Sequence, residues 1–174
     1  MNPNMSPMDW ARRPIDKYAD FTGRAPRAEY WWFVLALIVA YIVIKIVEGI
    51  IGINDMVFGV YGPLSVLLWL GTIVPSIAVS VRRLHDTNRS GWWLLLPIIP
   101  YCLAMLFGGA AVFRLAAGMA QPGMMAGLGA ASLFLILGGI GWIVLLIFYI
   151  MAGTPGDNRF GPNPYGAGDP AAAA

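Results

Sequence analysis

Tyr30-Trp-Trp-Phe-Val-Leu-Ala-Leu-Ile-Val-Ala-Tyr-Ile-Val-Ile-Lys-Ile-Val-Glu-Gly-Ile-Ile51 holds two charged residues, Lys45 and Glu48, both in its last third. About 20 consecutive apolar residues cover a hydrocarbon core roughly 30 Å thick when they form an α-helix. The run is long enough to cross a bilayer and too oily to be hidden by a small soluble core. Lys45 and Glu48 stand one turn apart near its far end, where they pair or snorkel outward.

Three further apolar runs follow. Val57 to Ser80 is interrupted by Pro63 and Pro75. Its Ser65, Thr72, Ser76 and Ser80 fall on one helical face, which packs against another helix or lines a cavity. Gly91 to Phe113 carries Pro97 and Pro100, which either kink it or split it into a re-entrant half and a longer remainder. From Arg114 to Ala130, a Gly-, Ala- and Met-rich stretch with Pro122 reads as an apolar loop or partly inserted hairpin. Ala131 to Ala152 is the fourth run, and Gly138, Gly139 and Gly141 allow close helix contact there.

Composition agrees with this reading. Of 174 residues, 59% are hydrophobic and 11% charged, against about 25% charged in soluble domains. The expected fold class is an all-α polytopic membrane helix bundle of about four transmembrane helices, at about 30–51, 57–80, 91–113 and 131–152. Residues 1–28 form a cytoplasmic interfacial segment, 29–152 the transmembrane bundle, and 153–174 a cytoplasmic tail with a Gly/Pro turn motif. The last Ala, Gly and Pro residues are expected to be disordered.

Before the first run, Ser6-Pro-Met-Asp9 reads as a helix start, with Ser6 as N-cap, Pro7 at the first helical position and Asp9 completing a capping box. Trp10, Tyr18 and Phe21 then fall near one face, which suits a short helix in the headgroup region. Pro14 argues for an irregular leader instead. No cleavable signal peptide is expected, because the first apolar run is too long and lacks a small-residue cleavage site. Nine of the eleven Lys and Arg residues stand before Tyr30, between the second and third runs, or in the tail; Lys45 and Arg114 are the other two. The positive-inside rule then puts both termini on the cytoplasmic face of a bacterial inner membrane, which requires an even number of spans.

Three polar stretches differ from generic connectors. They are Phe21-Thr-Gly-Arg-Ala-Pro-Arg-Ala-Glu-Tyr-Trp-Trp32, Pro75-Ser-Ile-Ala-Val-Ser-Val-Arg-Arg-Leu-His-Asp-Thr-Asn-Arg-Ser-Gly-Trp-Trp93 and Gly153-Thr-Pro-Gly-Asp-Asn-Arg-Phe-Gly-Pro-Asn-Pro164. Together, in this order from about Trp10 to Pro164, they resemble the bacterial inner-membrane family of unknown function typified by the YhaH and YhaI proteins. The resemblance implies membrane location and brings no activity with it. Relatives are often shorter, so Leu103 to Ala130 looks like an expansion by which a three-span topology becomes four.

Trp31, Trp32, Trp92 and Trp93 open their runs, where indole rings anchor at the membrane interface. Arg24, Arg27, Arg82, Arg83 and Arg89 lie at the same depth, with Glu29, Asp86 and Asp157 as counter-charges. One reading is a cytoplasmic-face cap built from all three stretches, in which Asp86 and Glu29 pair with arginines and the tail docks through backbone hydrogen bonds. The other adds a ligand: these arginines with His85, Asn158 and Arg159 form a site for a phosphate or carboxylate such as a lipid headgroup, for which fork-shaped guanidinium groups are suited.

Other chemistry is thin. His85 is the single histidine and Cys102 the single cysteine, so multi-histidine metal sites, thiolate clusters and intrachain disulfides are ruled out. Cys102 reads as a small buried hydrophobe. Adjacent His and Asp side chains rarely orient one another as in a triad, and no phosphate-cradling or dinucleotide fingerprint is present. No metal and no cofactor are expected, and a net charge of +2 suggests no nucleic-acid partner. The expected function is a non-enzymatic structural, lipid-interacting or accessory module. Its partners would be membrane lipids, including anionic ones, and a second copy or other membrane proteins. The alternative is a small transporter or channel component, although the centres of the runs lack the ionisable residues that mark a pathway.

Overall fold

The computed structural model describes residues 5–57, 59–119 and 123–164. The expected disorder of the final Ala, Gly and Pro residues falls outside this range, as does Pro122. Among the described residues there are five α-helices: α1 (Pro7–Asp16), α2 (Arg27–Ile51), α3 (Pro63–Asp86), α4 (Leu95–Ala116) and α5 (Met124–Ile150). Helices α2, α3, α5 and the stretch Gly91–Ala116 are each long and apolar enough to cross a membrane. At 1.5 Å per residue, the 25 residues of α2 reach about 37 Å. Their side faces are apolar and uncovered. Ile50 is 81% exposed and Leu67 64%, which only a hydrocarbon solvent makes favourable.

The chain divides into two compact units, one of Met1–Gly91 with Met151–Ala174 and one of Trp92–Ile150. In the first, α1 begins at the Ser6 capping box: the Ser6 hydroxyl accepts from the Asp9 N–H, and the Asp9 carboxylate accepts from the Ser6 N–H. The helix runs through Pro14, which is buried, and stops two residues later. The small core of this unit joins Ala25, Phe33 and Val79, with Tyr30 and Leu37 packed against them.

Helix α3 differs from the sequence reading at both ends. It starts at Pro63, not Val57, and it continues through Arg82, Arg83, His85 and Asp86, which the sequence had suggested for a connecting loop. Its N-cap, Gly62, has no capping side chain. The Glu48 carboxylate of α2 takes that role, accepting from the Ser65 N–H at 2.7 Å and from the Ser65 hydroxyl at 2.6 Å. A Cβ on Gly62 would fall on this carboxylate. Glu48 therefore points inward and is fully buried, with Lys45 at 3.4 Å. At mid-helix, Pro75 has no N–H for the Gly71 carbonyl, and the Tyr18 hydroxyl donates to it instead at 2.9 Å. Thr72 and Ser80 bond back to the Leu68 and Ser76 carbonyls of their own helix.

The second unit is the α4–α5 pair. The proline-bearing run is one α-helix behind a single 3-10 turn, Gly91–Leu94. Pro97 sits in the first turn of α4, where no intrahelical N–H is needed. Gly141 fits against the Pro97 backbone and Gly138 against the Tyr101 ring. The stretch expected as an apolar loop is largely helical, with α4 reaching Ala116 and α5 beginning at Met124. Cys102 is exposed on α4 rather than buried.

Candidate functional site

The end of α3 is stopped by a left-handed residue. Asn88 has φ +58°; the Arg89 N–H bonds the Leu84 carbonyl at 2.9 Å and the Asn88 N–H bonds that of His85 at 2.9 Å. This is the paired pattern of a Schellman stop, with asparagine where glycine is commoner. It leaves Arg82, Arg83 and Asp86 on the last two turns, all fully buried.

Asp86 is the centre of the site. Its Oδ1 accepts from Arg24 Nε at 2.9 Å, and its Oδ2 is paired with Arg83 Nη1. Arg24 uses its remaining nitrogens on the tail, donating to the Thr154 and Gly156 carbonyls, each at 2.6 Å. Arg83 Nη2 donates to the Met151 carbonyl. The Asp86 carbonyl in turn accepts from the Thr154 N–H at 2.8 Å and from its hydroxyl at 3.1 Å. Gly153 is required sterically, since a Cβ there would fall on the Asp86 carboxylate.

A second ion-pair group lies on the first turn of α2. Glu29 is fully buried, with Arg82 Nη1 at 2.8 Å and Arg13 Nε of α1 at 3.3 Å. The Arg82–Glu29 contact is an ion pair by distance, without hydrogen-bond geometry. A carboxylate in a helix's first turn is also favoured by the helix dipole. The Ala25 N–H bonds the Arg82 carbonyl at 3.0 Å and ties the segment before α2 to α3.

The tail folds over this layer. Asn158 and Gly161 exchange backbone hydrogen bonds at 3.0 and 3.1 Å, closing a turn. Asn158 Nδ2 donates to the His85 carbonyl at 2.9 Å and to the Thr154 hydroxyl at 2.8 Å. The turn presents Phe160 flat against the His85 imidazole, with ring centres 3.9 Å apart. The Arg159 guanidinium lies 4.7 Å over Phe160 and donates to the Asn88 carbonyl at 3.2 Å. His85 Nδ1 is 3.1 Å from the Gly23 carbonyl, an acceptor that requires this nitrogen to carry the proton.

The structure thus brings Arg24, Arg83, His85, Asp86, Asn158 and Arg159 together, and joins Glu29 to Arg82. Arg27 opens α2, and Arg89 donates to the Thr87 carbonyl at 3.1 Å beyond the α3 stop. Of the tryptophans, Trp31 meets Tyr30 edge-on and Trp93 meets Phe148 edge-on, while Trp92 is 78% exposed. Sequence reasoning passed over Arg13, Gly153, Thr154 and Phe160. Phe160 carried a signal, as the one aromatic between the last apolar run and Pro164.

The family described as "Protein of unknown function (DUF805)" matches residues 18–162. The chain belongs to this family. It is similar to Inner membrane protein YhaH of Escherichia coli (strain K12), 33% identical over 157 residues, covering 90% of this chain and 97% of that protein. Inner membrane protein YhaI of the same strain is 34% identical over 158 residues, covering 90% and 96%. Uncharacterized protein YiiR is 30% identical over 151 residues, covering 81% and 83%. No solved structure matches the chain. Those names and the four long apolar helices place this DUF805 chain in the inner membrane. The matched stretch contains every residue of the cluster except Arg13.

Proposed function

We propose that the chain is a non-enzymatic structural and lipid-interacting module whose Arg/Trp-rich end is a cytoplasmic cap, locked from within and resting on anionic headgroups. The observation that carries the reading is the use of Arg24 and Arg83: both guanidinium groups are buried and engaged by Asp86 and by tail and N-terminal carbonyls. Removing either partner of such a buried pair is strongly unfavourable, so the three stretches hold one another in place.

The surroundings of His85 support the non-enzymatic part. Its Nδ1 is on a carbonyl, one face is covered by Phe160, and the neighbouring carboxylate serves two arginines. Among the described residues, His85 forms no base–nucleophile pair of the kind that activates a hydroxyl. The excess of lysine and arginine around the cap supports its cytoplasmic placement and contact with anionic lipid.

Thermal unfolding of the detergent-purified chain, with native mass spectrometry of retained lipid, tests the proposal. Asp86→Asn and Arg24→Gln should each lower the midpoint sharply. Exposed Arg12 should contribute to lipid retention without affecting folding. Turnover or liposome flux that vanishes in a folded His85→Gln variant would overturn the reading.

A further inference from the structure

Arg114 is the single charged side chain between Trp92 and Ile150, and no acidic residue occurs anywhere from Thr87 to Gly156. The α4–α5 unit therefore carries one positive charge for which it supplies no carboxylate. Arg114 lines a cleft of about 480 Å³ formed by this unit alone, within the roughly 300–1,000 Å³ common for small-molecule sites. On the α4 side, Leu106 and Phe107 give an apolar wall that leads by helical steps to Arg114 in the last turn. On the α5 side the lining residues are the small Ala126, Gly127 and Ala130, and at Gly127 the two helices already approach, since a Cβ there would lie 3.6 Å from the Phe107 carbonyl oxygen and 3.7 Å from the Ala111 Cβ. The helices close together beyond it, where a Cβ on Gly108 would fall 3.2 Å from that of Ala131.

A cleft that is apolar along its length and cationic at one end complements an amphiphile with a chain and an anionic head. We propose that it binds one anionic phospholipid of the surrounding bilayer, the phosphate on Arg114 and part of one acyl chain laid along the groove where α4 and α5 meet. Arg114 ends a membrane-length helix, so its guanidinium lies at headgroup depth. The α4–α5 unit of a second copy would cover the apolar wall but, having no acidic residue, would leave the guanidinium without a counter-charge. A zwitterionic lipid offers the same phosphate with a cation beside it, which repels the guanidinium and weakens the pair. The site belongs to the other compact unit from the arginine cluster and does not depend on the reading given to that cluster.

Native mass spectrometry of the full chain, exchanged into detergent with phosphatidylglycerol or phosphatidylcholine, tests the proposal. One phosphatidylglycerol should be retained in preference to phosphatidylcholine. Arg114→Gln should weaken it about fivefold, the equivalent of one basic contact at a membrane surface. Ala126→Phe fills the cleft while keeping the charge and should weaken it as well; Ala130→Leu is the milder filling variant if the first unfolds. Equal retention of the two lipids, or binding unchanged in Arg114→Gln but lost in Arg159→Gln, would overturn the assignment. So would a dimer that Ala126→Phe dissociates, since the cleft would then belong to a second copy.

Discussion

Asp86 joins two arginines, two segments of chain and a carbonyl-rich turn, and so concentrates the energetic risk of the molecule in one side chain. Asp86→Asn keeps the shape and removes the charge, leaving two buried guanidinium groups facing an amide. The expected cost is about 3–5 kcal/mol, read as a lower unfolding midpoint in detergent. Gly153→Ala should act on the same atom from the other side, by pushing a methyl group into the carboxylate. Overpacking of this kind costs about 1–3 kcal/mol, and unfolding in denaturant measures it. At the edge of the site, Thr22 donates its hydroxyl at 2.6 Å and its N–H at 3.0 Å to Asp20. The hydroxyl first, then the amide, holds the Asp20 carboxyl below its ordinary range. A depressed carboxylate adds stability that is complete above the unfolded value and fades as pH falls through the folded one. Thr22→Val should raise the Asp20 titration point in an NMR pH series and shrink that acid-side loss. The Asp20 side chain is 40% accessible, so solvent screening keeps the effect on stability small.

At the scale of helices, two devices repair defects written into α3. The helix starts at a glycine that cannot cap it, and the Glu48 carboxylate arrives from α2 to accept from Ser65. Gly62→Ala and Ser65→Ala should both weaken the α2–α3 contact, the first by displacing Glu48 and the second by removing its hydroxyl donor. Lower thermal midpoints with unchanged helix content by circular dichroism are the expected result. Pro75 deprives the Gly71 carbonyl of its partner, and the Tyr18 hydroxyl restores one. Tyr18→Phe should cost about 1 kcal/mol and speed hydrogen exchange in the Tyr18–Gly23 segment. Helix signals were legible in the residues: the Ser6 capping box and apolar runs of membrane length; Pro63, which reads as an interruption of the second run, is instead the first residue of α3. The exact end of α3 was not, because Arg82, Arg83 and Asp86 look like loop residues until a buried partner is supplied for each.

For the whole chain, the tail is what closes the first unit. Ending the protein at Ala152 removes the Thr154 and Gly156 carbonyls, the Asn158 ties and the Phe160 cover over His85. Limited proteolysis should then cut within residues 21–29, while the α4–α5 pair stays protected. Reporter fusions at the two ends should report the same side, as four spans require, and that side should be the cytoplasm, where the excess of lysine and arginine belongs.

Residue order alone was enough for the bilayer, the all-helical class and the rough count of crossings, because each follows from the length and oiliness of a continuous run. It also singled out the three polar stretches and their arginines, since charge in so apolar a chain stands out. Why Glu48 turns inward depended on Ser65, 17 residues away, and that Arg24 meets Asp86 on segments 62 residues apart being folded together; how one phenylalanine comes to cover the histidine depended on the tail folding back over α3. Spacing along the chain carries no record of such partners, whereas burial does: a charge taken out of water must find a partner wherever the fold provides one.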